Sequence, residues 1–292
     1  MKNVLNYYYN LYPDKIYQTK DEYYFFIYNI RYSLIKYKED IKDIKKIYET
    51  HQNMLNQNIY IHPIILNIKK SPLTIINKNA YILLKTVYYG EKITLDKIVS
   101  SYETREKNHT KWSQKWSIKN DYLEFQIREL GKKYKKIRES FSYYIGLAET
   151  AIALSNLAEN GDINYCYSHK RIDTNKTTTE LYNPLNIVID TKVRDAAEYL
   201  KSSFFNGKNI REETYYYLNT QNLTPEERIL FLARMLYPTY YFDLFEEIIT
   251  GKMTENNIDK IIKKEDEYEN ILKEIYHMCK IKTNLIQIEW LE

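Results

Sequence analysis

The chain of 292 residues has few of the residues that build tight, ligand-binding loops, with 6 glycines, 6 prolines and 2 cysteines. A loop that wraps a phosphate needs residues without a Cβ, because the backbone must approach the ligand closely. The glycines are isolated from one another, and none precedes Gly90. The sequence therefore has no P-loop, no Rossmann fingerprint and no glycine-rich nucleotide flap.

Cysteine is equally scarce. Cys166 and Cys279 cannot build a disulfide framework, which fits a reducing compartment. Zinc-like spacing is absent among the histidines, which are His51, His62, His109, His169 and His277. The start of the chain lacks the apolar core of a signal peptide, and no run approaches about 18 apolar residues. We therefore expect a soluble, cytoplasmic protein without a membrane span.

The charge balance is only mildly basic, at +4. Basic residues alternate with acidic ones except in short runs such as KKYKKIR at 132–138. Nucleic-acid binding usually requires a clustered basic face, so this run is better explained as the solvated face of a helix. The 32 tyrosines are explained by A/T-rich codon usage, and we assign them no function.

The first 88 residues have the pattern of a small mixed sheet with one helix. Aromatic and β-branched residues at 15–36 predict a β-hairpin or a three-strand meander, with a turn at Lys20 and Asp21. Asp40 is placed to cap a helix that ends near 56–58. Further strands are predicted at 59–66, 73–76 and 81–87. The predicted order is β-β-(β)-α-β-β-β.

After residue 88 the apolar spacing is helical. One stripe runs from Leu123 to Ile137, and Ser140 is expected to open the next helix. Short strands are predicted at 165–169 and 186–190. Later helices are predicted from a capping box at 224–227, across 239–250 with a Gly251 stop, and across about 255–280. The order predicts an α+β, bilobal, kinase-like fold with an N-lobe at 1–88 and a helical C-lobe at 89–292.

Two aromatic groups are expected to pack inside the helical lobe. In the predicted helix 239–250, Tyr240, Leu244 and Ile248 share one face. Trp112 and Trp116 stand four residues apart and also share a face. Burial explains both groups better than partner binding or ligand stacking does.

Four strings resemble the CotS and YutH group of spore-coat proteins from endospore-forming Firmicutes, which is similar in fold to aminoglycoside phosphotransferases and choline kinases. They are SFSYYIGLAETAI (140–152), YSHKRI (167–172), YNPLNIVIDTKVRDAAEYLK (182–201) and ARMLYPTYYFDLFEEII (233–249). The resemblance implies a protein-kinase-like fold, a role in sporulation as a spore-coat component or coat-assembly factor, and protein partners.

In active members of that superfamily, a loop H-G-D-x-x-x-x-N supplies a catalytic Asp and a metal-binding Asn, and a second Asp after it binds Mg²⁺. His169 falls at the position of the family His, but Arg171 stands where the catalytic Asp should be. A guanidinium neither accepts a proton near neutral pH nor binds Mg²⁺. We place the second Asp position at Asn183, and Asn is a poor substitute for an anionic metal ligand.

Three carboxylates near this degenerate region, 165–195, are candidates for displaced catalytic groups: Asp173, Asp190 and Asp195. Asp195 is also explained by its place at a helix start, where a carboxylate is favourable.

The predicted N-lobe also lacks residues that active kinases use to hold the phosphates. The turn 19–22 has no glycine, and the strand 23–30 has no Lys, although Arg31 and Lys36 follow it and Glu49 lies on the next helix.

The resemblance and these losses predict a catalytically inactive kinase-fold protein, a pseudokinase, that acts by binding proteins and needs no cofactor or metal. The alternative is an active ATP- and Mg²⁺-dependent phosphotransferase that acts on a small molecule or a protein with the displaced carboxylates. Binding to nucleic acid is not expected. As a coat protein, the chain would be made in the cytoplasm and assembled onto the spore coat.

Overall fold

The computed structural model describes residues 1–98, 104 and 110–292, so His109 lies outside the described residues. The chain divides into two compact units. The first comprises Met1–Ile93 and Lys176–Ile187, and the second Thr94–Asn175 and Val188–Glu292. In the part of the chain that the structure describes, no helix combines the length and the apolar character needed to cross a membrane.

The strands and the longer helices follow one another in the predicted general order. The sequence analysis did not predict four helices, at Lys2–Tyr9, Leu95–Ile98, Thr178–Leu181 and Arg211–Thr220. Up to residue 98 the elements are α1 Lys2–Tyr9, β1 Ile16–Gln18, β2 Glu22–Ile27, β3 Ile30–Tyr37, α2 Ile44–Asn56, β4 Ile64–Ile65, β5 Thr74–Ile76, β6 Asn79–Thr86 and α3 Leu95–Ile98. From residue 112 they are α4 Trp112–Leu130, α5 Lys135–Ala158, β7 Tyr165–His169, α6 Thr178–Leu181, β8 Ile187–Thr191, α7 Arg194–Phe205, α8 Arg211–Thr220, α9 Pro225–Leu236, α10 Thr239–Ile249, α11 Asp259–Ile262 and α12 Glu265–Lys280.

The first unit is built on an antiparallel sheet in the order β1-β2-β3-β6-β4, with β5 also paired to β6. Alternate residues of β6 point to opposite faces. Leu83 packs on one face with Leu5 of α1. On the other face Ile82 packs with Ile47 of α2. The predicted strand 59–66 is reduced to two residues.

The hairpins of this sheet turn without glycine. Tyr28 and Asn29 join β2 to β3 with φ of 49° and 62°, and Asn77 and Lys78 join β5 to β6 with φ of 48° and 66°. Two successive residues at positive φ define the turn that matches the twist of a hairpin, and glycine usually supplies one of them. In these turns, tyrosine, asparagine and lysine residues therefore adopt the left-handed backbone conformation that glycine usually supplies.

The second unit packs its helices around α9, whose residues from Glu227 to Leu236 are all buried. The predicted capping box is confirmed: Thr224 Oγ1 accepts a hydrogen bond from Glu227 N at 3.1 Å, and Thr224 N donates to Glu227 Oε2 at 3.0 Å. Glu227 Oε1 also accepts from Asn164 N at 2.9 Å, just before β7. The start of α9 therefore also helps to position β7.

Three helix boundaries differ from the sequence expectation. The stripe from Leu123 to Ile137 is broken after α4, where buried Gly131 lies so close to Ile127 that a Cβ would come within 2.8 Å of its Cδ1. Ser140 does not open a helix but lies inside α5, where its hydroxyl donates to Lys136 O at 2.9 Å. The last predicted helix is divided into a 3₁₀ turn, α11 and α12.

The buried face of α10 is also rotated from the predicted one. Tyr241, Phe242, Phe245 and Ile248 are the buried residues, whereas Tyr240 and Leu244 are only partly buried. Apolar residues recur every three or four positions on both faces of this helix. The sequence pattern therefore could not show which face is buried.

Candidate functional site

The candidate site lies in the second unit, where β7 and β8 pair as a two-stranded sheet. His169 ends β7 and Asp190 lies near the end of β8. Asp195 and Arg194 stand in the first turn of α7, directly after β8. The short strands thus bring the degenerate loop and two of the candidate carboxylates together.

Asp195 holds the backbone and the ring of His169. Its Oδ1 accepts from His169 N at 2.9 Å, and its Oδ2 lies 2.6 Å from His169 Nδ1. Arg194 supports the same loop, donating from Nε to His169 O at 2.8 Å and from Nη2 to Lys170 O at 2.9 Å. Asp195 is 4% exposed and lies in a first helical turn, where a carboxylate is favourable. These contacts account for Asp195 as a structural residue.

Asp190 is enclosed by hydrogen-bond donors, a group that we call the Asp190 cage. Arg194 Nη1 donates to Oδ2 and Arg234 Nη2 to Oδ1, each at 2.7 Å. Trp112 Nε1 contacts both oxygens, at 2.9 and 3.1 Å, and Thr191 N donates to Oδ1 at 2.7 Å. Asp190 is 2% exposed. Burial alone raises the pKa of Asp190, but Arg234, Arg194 and the Thr191 N–H outweigh it and hold that pKa below the ordinary value.

The residues of the Asp190 cage do not fit a Mg²⁺ ion. Mg²⁺ needs oxygen ligands in near-octahedral geometry. Here both carboxylate oxygens already accept bonds from guanidinium groups, and the ion would lie beside two buried positive charges. Over the described residues no group of three or more His, Cys, Asp or Glu side chains is arranged to hold a metal.

Arg171 forms ion pairs with two carboxylates. Its Nη2 lies 3.0 Å from Asp243, and its Nη1 lies 3.6 Å from Glu198. Asp173 has a local role, because its Oδ1 accepts from Asn175 N at 2.9 Å and closes an Asx-turn. When the family loop is counted from His169, its metal-binding Asn position falls on Lys176.

Asn183 has a local structural role. It belongs to the first unit and caps the 3₁₀ turn Pro184–Asn186, accepting from Leu185 N at 3.0 Å. The carboxylate at the end of the following strand is Asp190. The sequence alone did not single out Arg234 or Lys201, although each is a charged residue on a predominantly buried helix face, which is a usable signal.

In the first unit, Arg31 and Glu49, which the sequence analysis considered for phosphate and nucleotide binding, have other partners. The turn between β1 and β2 is tight, closed by Thr19 N donating to Glu22 O at 2.8 Å. Arg31 pairs with Glu22 at 2.9 Å and lies 4.5 Å from the centre of the Tyr24 ring. Glu49 pairs at 3.8 Å with Lys45 on its own helix.

The fold is that of protein-kinase-like phosphotransferases. An aminoglycoside phosphotransferase from Alicyclobacillus acidocaldarius subsp. acidocaldarius DSM 446 matches 92% of this chain and 93% of its own, with a TM-score of 0.65 at 10% identity. The choline kinase LicA from Streptococcus pneumoniae matches 91% and 96%, with a TM-score of 0.51 at 12% identity. These identities show the fold alone, and they confirm the predicted α+β kinase-like class.

Residues 2–275 match the model of the family described as "Spore coat putative kinase YutH". The chain therefore belongs to the YutH family, which confirms the resemblance found in the sequence. The endospore coat-associated protein YutH of Bacillus subtilis (strain 168) is 26% identical over 211 residues. That match spans 62% of this chain and only 61% of the length of the Bacillus protein.

Proposed function

We propose that this chain is a pseudokinase that acts by binding protein partners in the spore coat or during its assembly, and that it transfers no phosphoryl group. The observation that carries the proposal is the Asp190 cage, in which two arginines hold the carboxylate at the end of β8. Phosphoryl transfer relies on carboxylate-bound metal ions and a base near the substrate hydroxyl. In this chain arginines stand beside Asp190 and at position 171 instead.

The displaced carboxylates support the same proposal, because each has a structural partner. Asp195 holds His169, and Asp173 closes its own turn. Recruiting Asp190 for a metal would break two buried ion pairs, and breaking one such pair costs about 3 to 5 kcal/mol. An active site that uses these groups would therefore have to rearrange at a large cost.

The coat role is supported by family membership and by the description of the Bacillus relative as endospore coat-associated. We further propose that the chain is made in the cytoplasm, is assembled onto the coat through protein contacts, and needs neither nucleic acid nor a resident cofactor. The N-lobe at 1–88 and the C-lobe at 89–292 remain our proposed division of the protein.

Catalysis is tested by measuring ATP turnover with Mg²⁺ and with EDTA. We expect no Mg²⁺-dependent turnover, and any thermal stabilisation by a nucleotide should be equal under both conditions. A functional Mg²⁺–nucleotide site would add about 2.7 kcal/mol of stability at a hundred times its dissociation constant. Turnover that needs Mg²⁺ and is abolished by Asp190→Ala would overturn the proposal.

Asp173→Asn provides a variant that should fold, because an Asn Oδ1 can accept the same bond from Asn175 N. Loss of a measured turnover in this variant would identify Asp173 as a displaced base and favour the active phosphotransferase. The coat role is tested by expressing a tagged chain in a sporulating host. We expect the tag in the extracted coat fraction, and its recovery only outside purified spores would contradict the role.

A further inference from the structure

A pocket of about 340 Å³ opens beside the Asp190 cage, entirely within the second unit. It is lined by residues of α4, α7, α9 and α10 and of the loop after β7. Seven of the lining side chains are Lys or Arg, and three are Asp or Glu. A concave surface with such an excess of one sign concentrates ions of the opposite sign.

The deepest layer of this pocket contains three cations that water hardly reaches. Arg194, Lys201 and Arg234 are 8%, 4% and 4% exposed. Asp190 is shared by the two arginines, and Glu198 lies 3.1 Å from Lys201 Nζ. Asp195, which is 4% exposed, also acts on Arg234, so three carboxylates balance the three cations. The excess of positive charge therefore comes from the outer part of the pocket.

The outer part of the pocket supplies the excess. Lys119 pairs with Glu246, and Arg171 pairs with Asp243, so the charges of these four groups cancel. Lys115 and Lys170 also line the pocket. With Asp190 and Asp195 beneath them, the seven lining cations face five carboxylates among the described residues. An anion with two negative charges is therefore better matched than a monoanion.

An aromatic wall completes the pocket. The rings of Trp116 and Tyr237 stack with centroids 4.3 Å apart. The guanidinium carbons of Arg194 and Arg234 each lie 4.8 Å from the centre of the Trp112 ring. The volume is at the lower end of the roughly 300 to 1,000 Å³ typical of small-molecule sites. This size admits a compact molecule with one charged end and one flat or apolar end.

We propose that this pocket binds a small phosphate monoester, with its phosphate toward Arg194, Arg234 and Lys201 and its organic part against the tryptophans. Guanidinium groups offer paired N–H donors that match phosphate oxygens, and the lysines add charge. The cations of the chain neutralise the phosphate, so binding requires no Mg²⁺. The inference is independent of the pseudokinase proposal, because a bound ester need not react.

Intrinsic fluorescence can report binding, because two of the three tryptophans, Trp112 and Trp116, line the pocket. Trp290→Phe removes the third signal. The probes are phenyl phosphate, inorganic phosphate and benzoate, each titrated in EDTA at constant ionic strength. We expect saturable binding with phenyl phosphate tightest, inorganic phosphate weaker and benzoate weakest. Added salt should weaken the binding of both phosphates.

A pair of double variants separates pocket charge from overall charge. K115Q/K170Q removes two cations from the pocket wall, and K132Q/K133Q removes two exposed cations outside it. The pocket variant should weaken phenyl phosphate binding roughly tenfold or more, because each charge acts within a few ångströms. The control should bind within about twofold of the parent, because exposed, distant charges are screened.

The proposal is overturned if phenyl phosphate gives no saturable change up to about 10 mM, well above a weak 1 mM dissociation constant. It is equally overturned if benzoate binds as tightly, if both double variants lose affinity alike, or if binding requires Mg²⁺. Circular dichroism verifies that each variant is folded. Failure here leaves the ATP-turnover result untouched, so the two proposals can fail separately.

Discussion

The substitution Asp190→Asn removes one negative charge from the centre of the Asp190 cage while keeping the shape of the side chain. Arg194 and Arg234 would then be two buried guanidinium groups without the carboxylate that both contact at 2.7 Å. The same substitution in a catalytic metal site would remove function with little loss of stability. The free energy of unfolding therefore distinguishes the two roles of Asp190.

The expected loss follows from the burial of the pairs. Asp190 and the side chain of Arg234 are 2% and 4% exposed, so water screens them little. Removing one partner of a buried ion pair costs about 3 to 5 kcal/mol, since the other charge remains buried. With an m-value of about 3 kcal/mol per molar urea, the denaturation midpoint should fall by roughly 1 to 1.7 M.

Urea denaturation at pH 7, followed by circular dichroism, measures this loss. Glu139→Gln is the matched control, because Glu139 lies 3.8 Å from Lys135 in an exposed pair on α5. Its loss should stay below about 0.5 kcal/mol. The double variant D190N/R234M should be less destabilised than the two single losses combined, with a coupling of about 1 to 3 kcal/mol.

The reasoning is refuted if Asp190→Asn stays within about 1 kcal/mol of the parent. A gain in stability would refute it more strongly, because strained functional residues often give that result when replaced. An additive double variant would show that Arg234 and Asp190 do not act as a pair.

Three further predictions concern single side chains. Desolvation raises the pKa of the partly buried Glu198, but Lys201 and Arg171 outweigh it and hold that pKa at about 2, against 4.5 ordinarily. The stability that this provides is present above pH 4.5 and is lost as the pH falls toward 2. Urea titrations should therefore show a smaller loss of stability in acid for Glu198→Gln than for the parent, by about 3 kcal/mol at most. Lys78→Gly should raise the free energy of unfolding by up to about 1 kcal/mol, since φ is 66° there, and this should appear as a higher melting temperature. An unchanged melting temperature would contradict this. Thr224→Ala should lower the free energy of unfolding, measured in urea, by about 1 kcal/mol, whereas Thr224→Ser should be nearly neutral. Equal losses in both variants would contradict the role of the Thr224 hydroxyl as a helix cap.

Much of the fold could be predicted because its signals are local. Alternation of aromatic and β-branched residues predicted the meander at 15–36, and the spacing from Thr224 to Glu227 predicted the start of α9. The turn between β5 and β6 falls in the gap between the predicted strands 73–76 and 81–87, but its left-handed backbone was not predicted. Boundaries failed where a contact distant in sequence helps to set them, as at the start of α5, where Lys136 N donates to Glu255 Oε1 at 2.7 Å.

What the sequence by itself determined is the general order of the main elements and the presence of an arginine, Arg171, two residues after His169, where the family resemblance predicts a catalytic Asp. Both depend on spacing along the chain. What only the tertiary structure decided is the environment of Asp190, because Trp112 and Arg234 lie 78 and 44 residues from it in the chain. Charge pairing and burial act through space, so a carboxylate that looked like a possible metal ligand in the sequence is, in the fold, the counter-ion of two arginines.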